Sequence, residues 1–117
     1  GKKWPTDGPL RQGMSGVRSA VAPVLAAIHA ETAKPRQYRE LGRTVRKDVA
    51  YIVANCRLAP EADAMLHLVI AELLAGADAM EGKTAGVTPR AGAIRVTQAL
   101  DDYGRHFDHP GWQPLAH

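Results

Sequence analysis

The chain is poor in aromatic residues. Phe, Trp and Tyr make up 5% of its 117 residues, and only one of them is Phe. Apolar residues still reach 45%, so the expected core is thin and built from close-packed aliphatic and alanine side chains. A single cysteine excludes an internal disulfide and leaves the redox compartment open. No run of 18 apolar residues occurs, which excludes a membrane span. The chain opens GKKWPTDGPL, with neither an initiator Met nor a leader pattern. The expectation is a processed or trimmed chain, periplasmic if an export signal has been removed.

Several motifs are also missing. Without C-x-x-C-H, covalent haem is excluded. GKTAG at residues 82–86 lacks the phosphate-loop spacing, and no nucleophile–base pair is evident, so the chain is not read as an enzyme. No inward acidic pair appears, which argues against a Mg²⁺ or di-iron carboxylate site.

What is present begins with charge. The net charge is +3, but residues 1–58 carry +7 and residues 59–117 carry −4. Such asymmetry can steer an acidic partner, or the two halves can pair within one fold. The stripe Arg36, Arg39, Arg43 and Arg46, spaced 3, 4 and 3, lies on one helical face. It is read mainly as a solvated face that pairs with acidic helices. Phosphate-backbone binding is the weaker alternative, because no recognition motif or stacking aromatics accompany it.

Gly and Pro divide the rest into four segments. Asp7 or Gly8 caps the first, with Pro9 in its opening turn. It runs from Leu10 to about Ala30 on an apolar face of Leu10, Met14, Val17, Val21, Val24, Leu25 and Ile28, with a kink expected at Pro23. The second runs from about Arg36 to Cys56 and turns Leu41, Val45, Val49, Ile52 and Cys56 inward. The third spans about Pro60 to Met80, with Ala62, Met65, Leu66, Val69, Leu73 and Ala77 inward. Glu61 and Asp63 suit its dipole, and Gly82 caps it. The fourth starts at Thr88-Pro89 and continues through Ala93, Val96, Leu100, Tyr103 and Phe107 to His109. No strand is expected. The prediction is one all-α domain, residues 1–117, folded as an up-down-up-down antiparallel four-helix bundle with an arm at 1–8 and a tail at 110–117.

That topology gathers the starts of helices one and three and the finishes of two and four at one end. Met14, Cys56, Met65, His67, His106 and His109 are expected there, within a turn or two in height. Thioether, thiolate and imidazole bind Cu(I), Zn or haem iron. Asp102, four residues before His106, is placed to orient its imidazole. Each residue also has a plainer reading: Met14 and Met65 as core filler, Cys56 as an inert buried thiol, and His106 and His67 as lateral. His109 points outward unless the chain turns back at Pro110. His29 and Met80, at the other end, and the terminal His117 are read as structural or uninformative. Trp4 and Trp112 are expected to cover the cluster.

A Met early in the first helix and a His near the end of the last, with the run LVIAELLAGADAMEGK at residues 68–83, resembles the b-type four-helix-bundle cytochromes. This resemblance implies haem b held non-covalently between Met14 and His106, with Met65, Leu66 and Val69 on the haem face. The implied role is electron transfer in the periplasm with redox partners. The opening GKKWPTDGPLRQGM and the close YGRHFDHPGW are similar to a group of small exported proteobacterial proteins, in which the bundle end is reused without haem. Three functions therefore stand as expectations. The first is the haem-binding electron carrier. The second is a copper-binding or cofactor-free bundle, with Met14, Cys56, Met65, His106 and His109 as Cu(I) ligands and metal-handling proteins as partners. The third is a partner-binding bundle that uses its basic face.

Overall fold

In the computed structural model, residues 2–115 are described; Gly1, Ala116 and His117, and with them the reading of the terminal histidine, lie outside the described residues. The helices are α1 (Gly8–Val21), α2 (Leu25–His29), α3 (Pro35–Asn55), α4 (Pro60–Met80) and α5 (Pro89–His106). A 3₁₀ turn at Ala22–Val24, which contains Pro23, separates α1 from α2. The expected first segment is thus two α-helices joined through one tighter turn, because a proline removes a backbone donor. The fold is mostly helical and fits an all-α four-helix bundle, with α1 and α2 together forming the first member.

Proline marks each long helix at its first or second position, where its missing N–H costs nothing. Asp7 caps α1 by accepting the Leu10 N–H at 3.0 Å, and Thr88 caps α5 by accepting the Ala91 N–H at 3.0 Å. Gly82, with φ +76°, follows the finish of α4 in a left-handed conformation that suits glycine.

Helix α4 is the centre of the packing. It buries Ala62, Leu66, Val69, Ile70, Leu73, Gly76, Ala77, Ala79 and Met80, more of its circumference than one amphipathic stripe covers. It meets α5 most extensively, α1 packs on α3, and α3 packs on α4, whereas α1 and α5 touch only slightly. The α4–α5 contact is backbone on backbone. A Cβ on Gly76 would lie 2.6 Å from the Gly92 carbonyl oxygen, and one on Gly92 would lie 2.6 Å from that of Gly76. Small residues therefore let these helices approach closely, which compensates for the scarcity of large side chains. On the other flank, Gly42 faces the Ala77 carbonyl at 3.0 Å by the same measure. Between α1 and α3, Gly13 lies under Ile52 and Gly16 under Asp48.

Three expectations need correction. The fourth helix stops at His106, three residues early. Two short strands exist where none was expected: β1 (Trp4–Pro5) pairs in parallel with β2 (Phe107–Asp108), Trp4 opposite Phe107 and Pro5 opposite Asp108. Cys56 is the cap of α3 and has extended backbone, so it does not belong to the helix. The first two share a cause. Phe107 continues the apolar spacing of α5 but is buried from an extended conformation, pinned to the N-terminal arm.

The close α4–α5 approach yields a direct test. Gly92→Ala adds a methyl that favours helix by about 1 kcal/mol, but it must push the two backbones apart at about 1–3 kcal/mol. Urea unfolding should show a net loss of stability. A stabilised variant would show that the helices are farther apart.

Candidate functional site

The finish of α5, the start of α1, the finish of α3 and the arm meet at one end. Asp7 ties three of these pieces. One of its carboxylate oxygens caps α1, the other accepts the Arg57 N–H at 2.7 Å, and the Cys56 thiol donates to the same carboxylate. Burial raises the Asp7 pKa, but these donors outweigh it and leave the carboxyl below its ordinary value. Burial first, then the Asp7 charge, pushes the Cys56 thiol up to about 12, so it stays protonated at neutral pH. Thr6 Oγ1 donates to the Asp108 carbonyl at 2.8 Å, and Arg11 donates to the Thr6 carbonyl at 2.7 Å. The arm is thereby fixed to both β2 and α1.

After β2 the chain reverses. Gly111 takes φ +80°, and the Trp112 N–H donates to the His109 carbonyl at 3.0 Å. The returning segment lies along α1 and α5. Arg18 Nε donates to the Gln113 carbonyl at 2.6 Å, and Leu115 is buried. The seam where α1 and α5 touch least is thus covered by the tail.

His109 holds this turn. Its Nδ1 lies 2.7 Å from the Tyr103 hydroxyl, and its Nε2 lies 3.4 Å from Ser15 Oγ. Tyr103 is fully buried and its pKa is driven upward, chiefly by burial. Its hydroxyl therefore stays protonated and donates to a neutral imidazole, whose Nε2–H faces Ser15. Burial, then the Arg11 charge, lowers the His109 pKa. Trp112 packs edge-on against Tyr103 at 4.9 Å between centroids and beside His109 at 5.0 Å. Its indole rests on the helix at Gly104, where a Cβ would come within 2.7 Å of Nε1. Phe107 stacks on Tyr103 at 5.4 Å between centroids.

Outside this cluster lies a cleft of about 570 Å³. Its lining combines the charged residues Lys3, Asp101, Arg105 and Asp108 with Trp112, Phe107, His109, Gly104 and Pro114. Arg105 is tied to Asp102, so Asp102 is engaged there.

Of the expected donors, Met14 belongs to the hydrophobic core, and Met65 and Cys56 pack against it. Met14 is fully buried, and Leu66 and Val69 nearly so, in the hydrophobic core. Met65 is half-buried against that core. Cys56 and His67 line a groove of about 260 Å³ between α3 and α4, with His67 on Asp63 at 3.1 Å. His106 is exposed. His109 does turn inward, because the chain reverses at Pro110-Gly111, and both its ring nitrogens face protein partners. Among the described residues, no group of three or more His, Cys, Asp or Glu is arranged to hold a metal ion. Ser15, Tyr103 and Gly104 were not singled out from the sequence as part of this end. Tyr103 read only as a core residue, and Ser15 gave no signal. On the basic stripe, Arg46 reaches Asp78 of α4 at 2.5 Å and Glu81, the residue that caps it, at 2.9 Å, and Arg36 pairs with Glu40 at 3.8 Å.

Compared with protein-family models, curated proteins and solved structures, the chain matches none of them.

Two measurements check this geometry. The Cys56 thiol should react with a disulfide reagent at pH 8 roughly a hundredfold or more slowly in the folded protein than in urea, because little thiolate is present; equal rates would contradict its burial beside Asp7. His109 is neutral in the fold, whereas the unfolded state takes up a proton near pH 6.5. Its stability contribution is therefore complete above about pH 6.5 and is lost as the pH falls towards the lower folded value. Unfolding free energies at pH 7.5 and 5.5 should differ less in His109→Asn than in the parent.

Proposed function

We propose that this chain is an up-down-up-down antiparallel bundle, bent at Pro23, that works as a non-enzymatic binding protein through the cleft beside Trp112. The antiparallel reading is supported by paired contacts whose numbers rise on one helix as they fall on the next: Gly13 with Ile52 and Gly16 with Asp48, Gly42 with Ala77 and Cys56 beside Asp63, and Glu72 with Arg95 and Gly76 with Gly92. The interruption at Ala22–Val24 supports the bend.

The observation that carries the binding role is the immobilised indole. Trp112 is held by Tyr103, His109 and the bare backbone of Gly104, yet it remains half-exposed as one wall of a concave site. A rigid aromatic wall with a few polar groups around it suits a small ligand, and because the ring is already fixed, little ordering entropy opposes binding. The periplasmic location implied by the resemblance accompanies this reading as part of the proposal.

The haem b and Cu(I) readings have less support. Met14 sits in a filled core, His106 is exposed on α5, and neither lines the cleft. A haem ligated by that pair requires the core to open. Copper bound at Cys56 requires a thiolate from a thiol that burial and Asp7 keep protonated.

The test is an NMR titration with a neutral aromatic fragment, indole. The expected shifts centre on Trp112, Gly104 and Phe107. Gly104→Ala should weaken them severalfold by displacing the ring while α5 stays intact. Absence of shifts at millimolar indole would refute the cleft. Uptake of haem or Cu(I) that is lost in Met14→Leu would instead favour a metal-centre function.

A further inference from the structure

Resting on the cleft reading above, we propose that His109 is a proton-operated latch: protonating its imidazole frees residues 109–115 from α5 and removes the Trp112 wall, so the cleft is built at neutral pH and dismantled in mild acid. The strand pairing ends at Asp108, and the chain beyond it is held by few contacts. The Trp112 N–H turns back on the His109 carbonyl, Arg18 takes the Gln113 carbonyl at 2.6 Å, and Leu115 is buried. The remaining hold is a group of rings. Trp112 lies 4.9 Å from Tyr103 and 5.0 Å from His109 between centroids, and His109 is bonded in turn to Tyr103. The seat of the indole therefore depends on the imidazole.

Solvent protons have access to His109, which lines two surface clefts of about 570 and 160 Å³. Nδ1 is the nitrogen that takes the added proton, because Nε2 already carries one towards Ser15. The Tyr103 hydroxyl then loses its acceptor. It is bonded only to His109 among the described residues, and its side chain is fully buried. If the hydroxyl turns to accept from the new N–H, its own proton is left unpaired in the core, which is costly. The surrounding charges do not offset this. No carboxylate forms an ion pair with His109 among the described residues. The charged residues lining its two clefts are Lys3, Asp101, Arg105 and Asp108 in one and Arg18 in the other, with Arg105 held by Asp102. Asp7 acts on Tyr103. Burial, then the charge of Arg11 on α1, opposes an imidazolium. Once the segment is released the ring is hydrated and titrates near 6.5. Below that pH the open form gains on the closed form by up to about tenfold per pH unit, until the lower closed value is passed.

The test compares pH 7.5 with pH 5.0 by backbone relaxation of residues 109–115, by helical circular dichroism and by indole titration. In the parent, residues 109–115 should lose order at pH 5.0 while the helical signal holds. Indole affinity should fall about threefold or more, as the fraction of molecules with a built cleft falls. In His109→Gln the side-chain carbonyl can accept the Tyr103 proton without titrating, so order and affinity should be alike at both pH values. Tyr103→Phe keeps the ring and removes the hydroxyl that protonation orphans, and it should shrink the acid response. A segment that stays ordered at pH 5.0, one lost only together with the helices, or an undiminished acid response in His109→Gln would overturn the latch. Order in the segment is read without ligand, so the two readings separate. If the segment opens in acid and indole binds at neither pH, the cleft falls and the latch stands. If indole binds equally at both and the segment stays ordered, the latch falls and the cleft stands.

Discussion

The hydrogen bond between the buried Tyr103 hydroxyl and His109 Nδ1, 2.7 Å long, is the interaction on which this end of the molecule depends. It joins the last helix to the segment that leaves it. The imidazole's other contacts are weaker: the approach to Ser15 is long at 3.4 Å, and Trp112 only packs beside the ring. With the Tyr103 bond in place, Trp112 can fold back over Gly104, Arg18 can take the Gln113 carbonyl, and Leu115 can reach the core. A buried tyrosine hydroxyl needs a partner, and the neutral imidazole supplies one. Burial drives both groups towards their uncharged forms, so each protonation state suits the other.

That interaction solves a packing problem set by composition. Large apolar side chains are few, and the bundle economises by bringing helices close through Gly76, Gly92 and Gly42. Close approach works where two helices lie side by side, as α4 does with α5. Along the line between α1 and α5, helix-to-helix contact is slight, and four of the six aromatic residues are gathered at its end: Trp4, Tyr103, Phe107 and Trp112. The tail and arm do there what a helix interface does elsewhere. A site formed in this way consists of irregular chain resting on rigid helix, an arrangement that favours binding.

Much of the helical framework was legible in the sequence because its signals are local. Pro60 and the run to Met80 predicted α4 to the residue, and Asp7 and Thr88 announced their caps. The end of α5 was misjudged because burial and helical spacing coincide at Phe107, where the residue is in fact extended. The partners of the expected donors were not legible for a different reason. Helix direction fixes which residues share a height, but not which seam they enter, and height alone placed Met14, Cys56, Met65 and the histidines together. In the fold Met14 is consumed by the core, Cys56 by the Asp7 clasp, and His109 by Tyr103. The reversal at Pro110-Gly111 was readable as a condition for His109 to turn inward. The notch at Gly104 was not, because a single glycine in a helix carries no mark of what rests on it.

The central claim is that the reversed tail seats Trp112 on α5 and so builds the cleft wall. The most direct measurement is the nuclear Overhauser effect between the Trp112 indole N–H and the Gly104 α-protons in solution, together with backbone order parameters for residues 109–115. This account predicts a strong cross-peak and order parameters near 0.85, the level of rigid backbone. An absent cross-peak with order parameters below about 0.6 would contradict it.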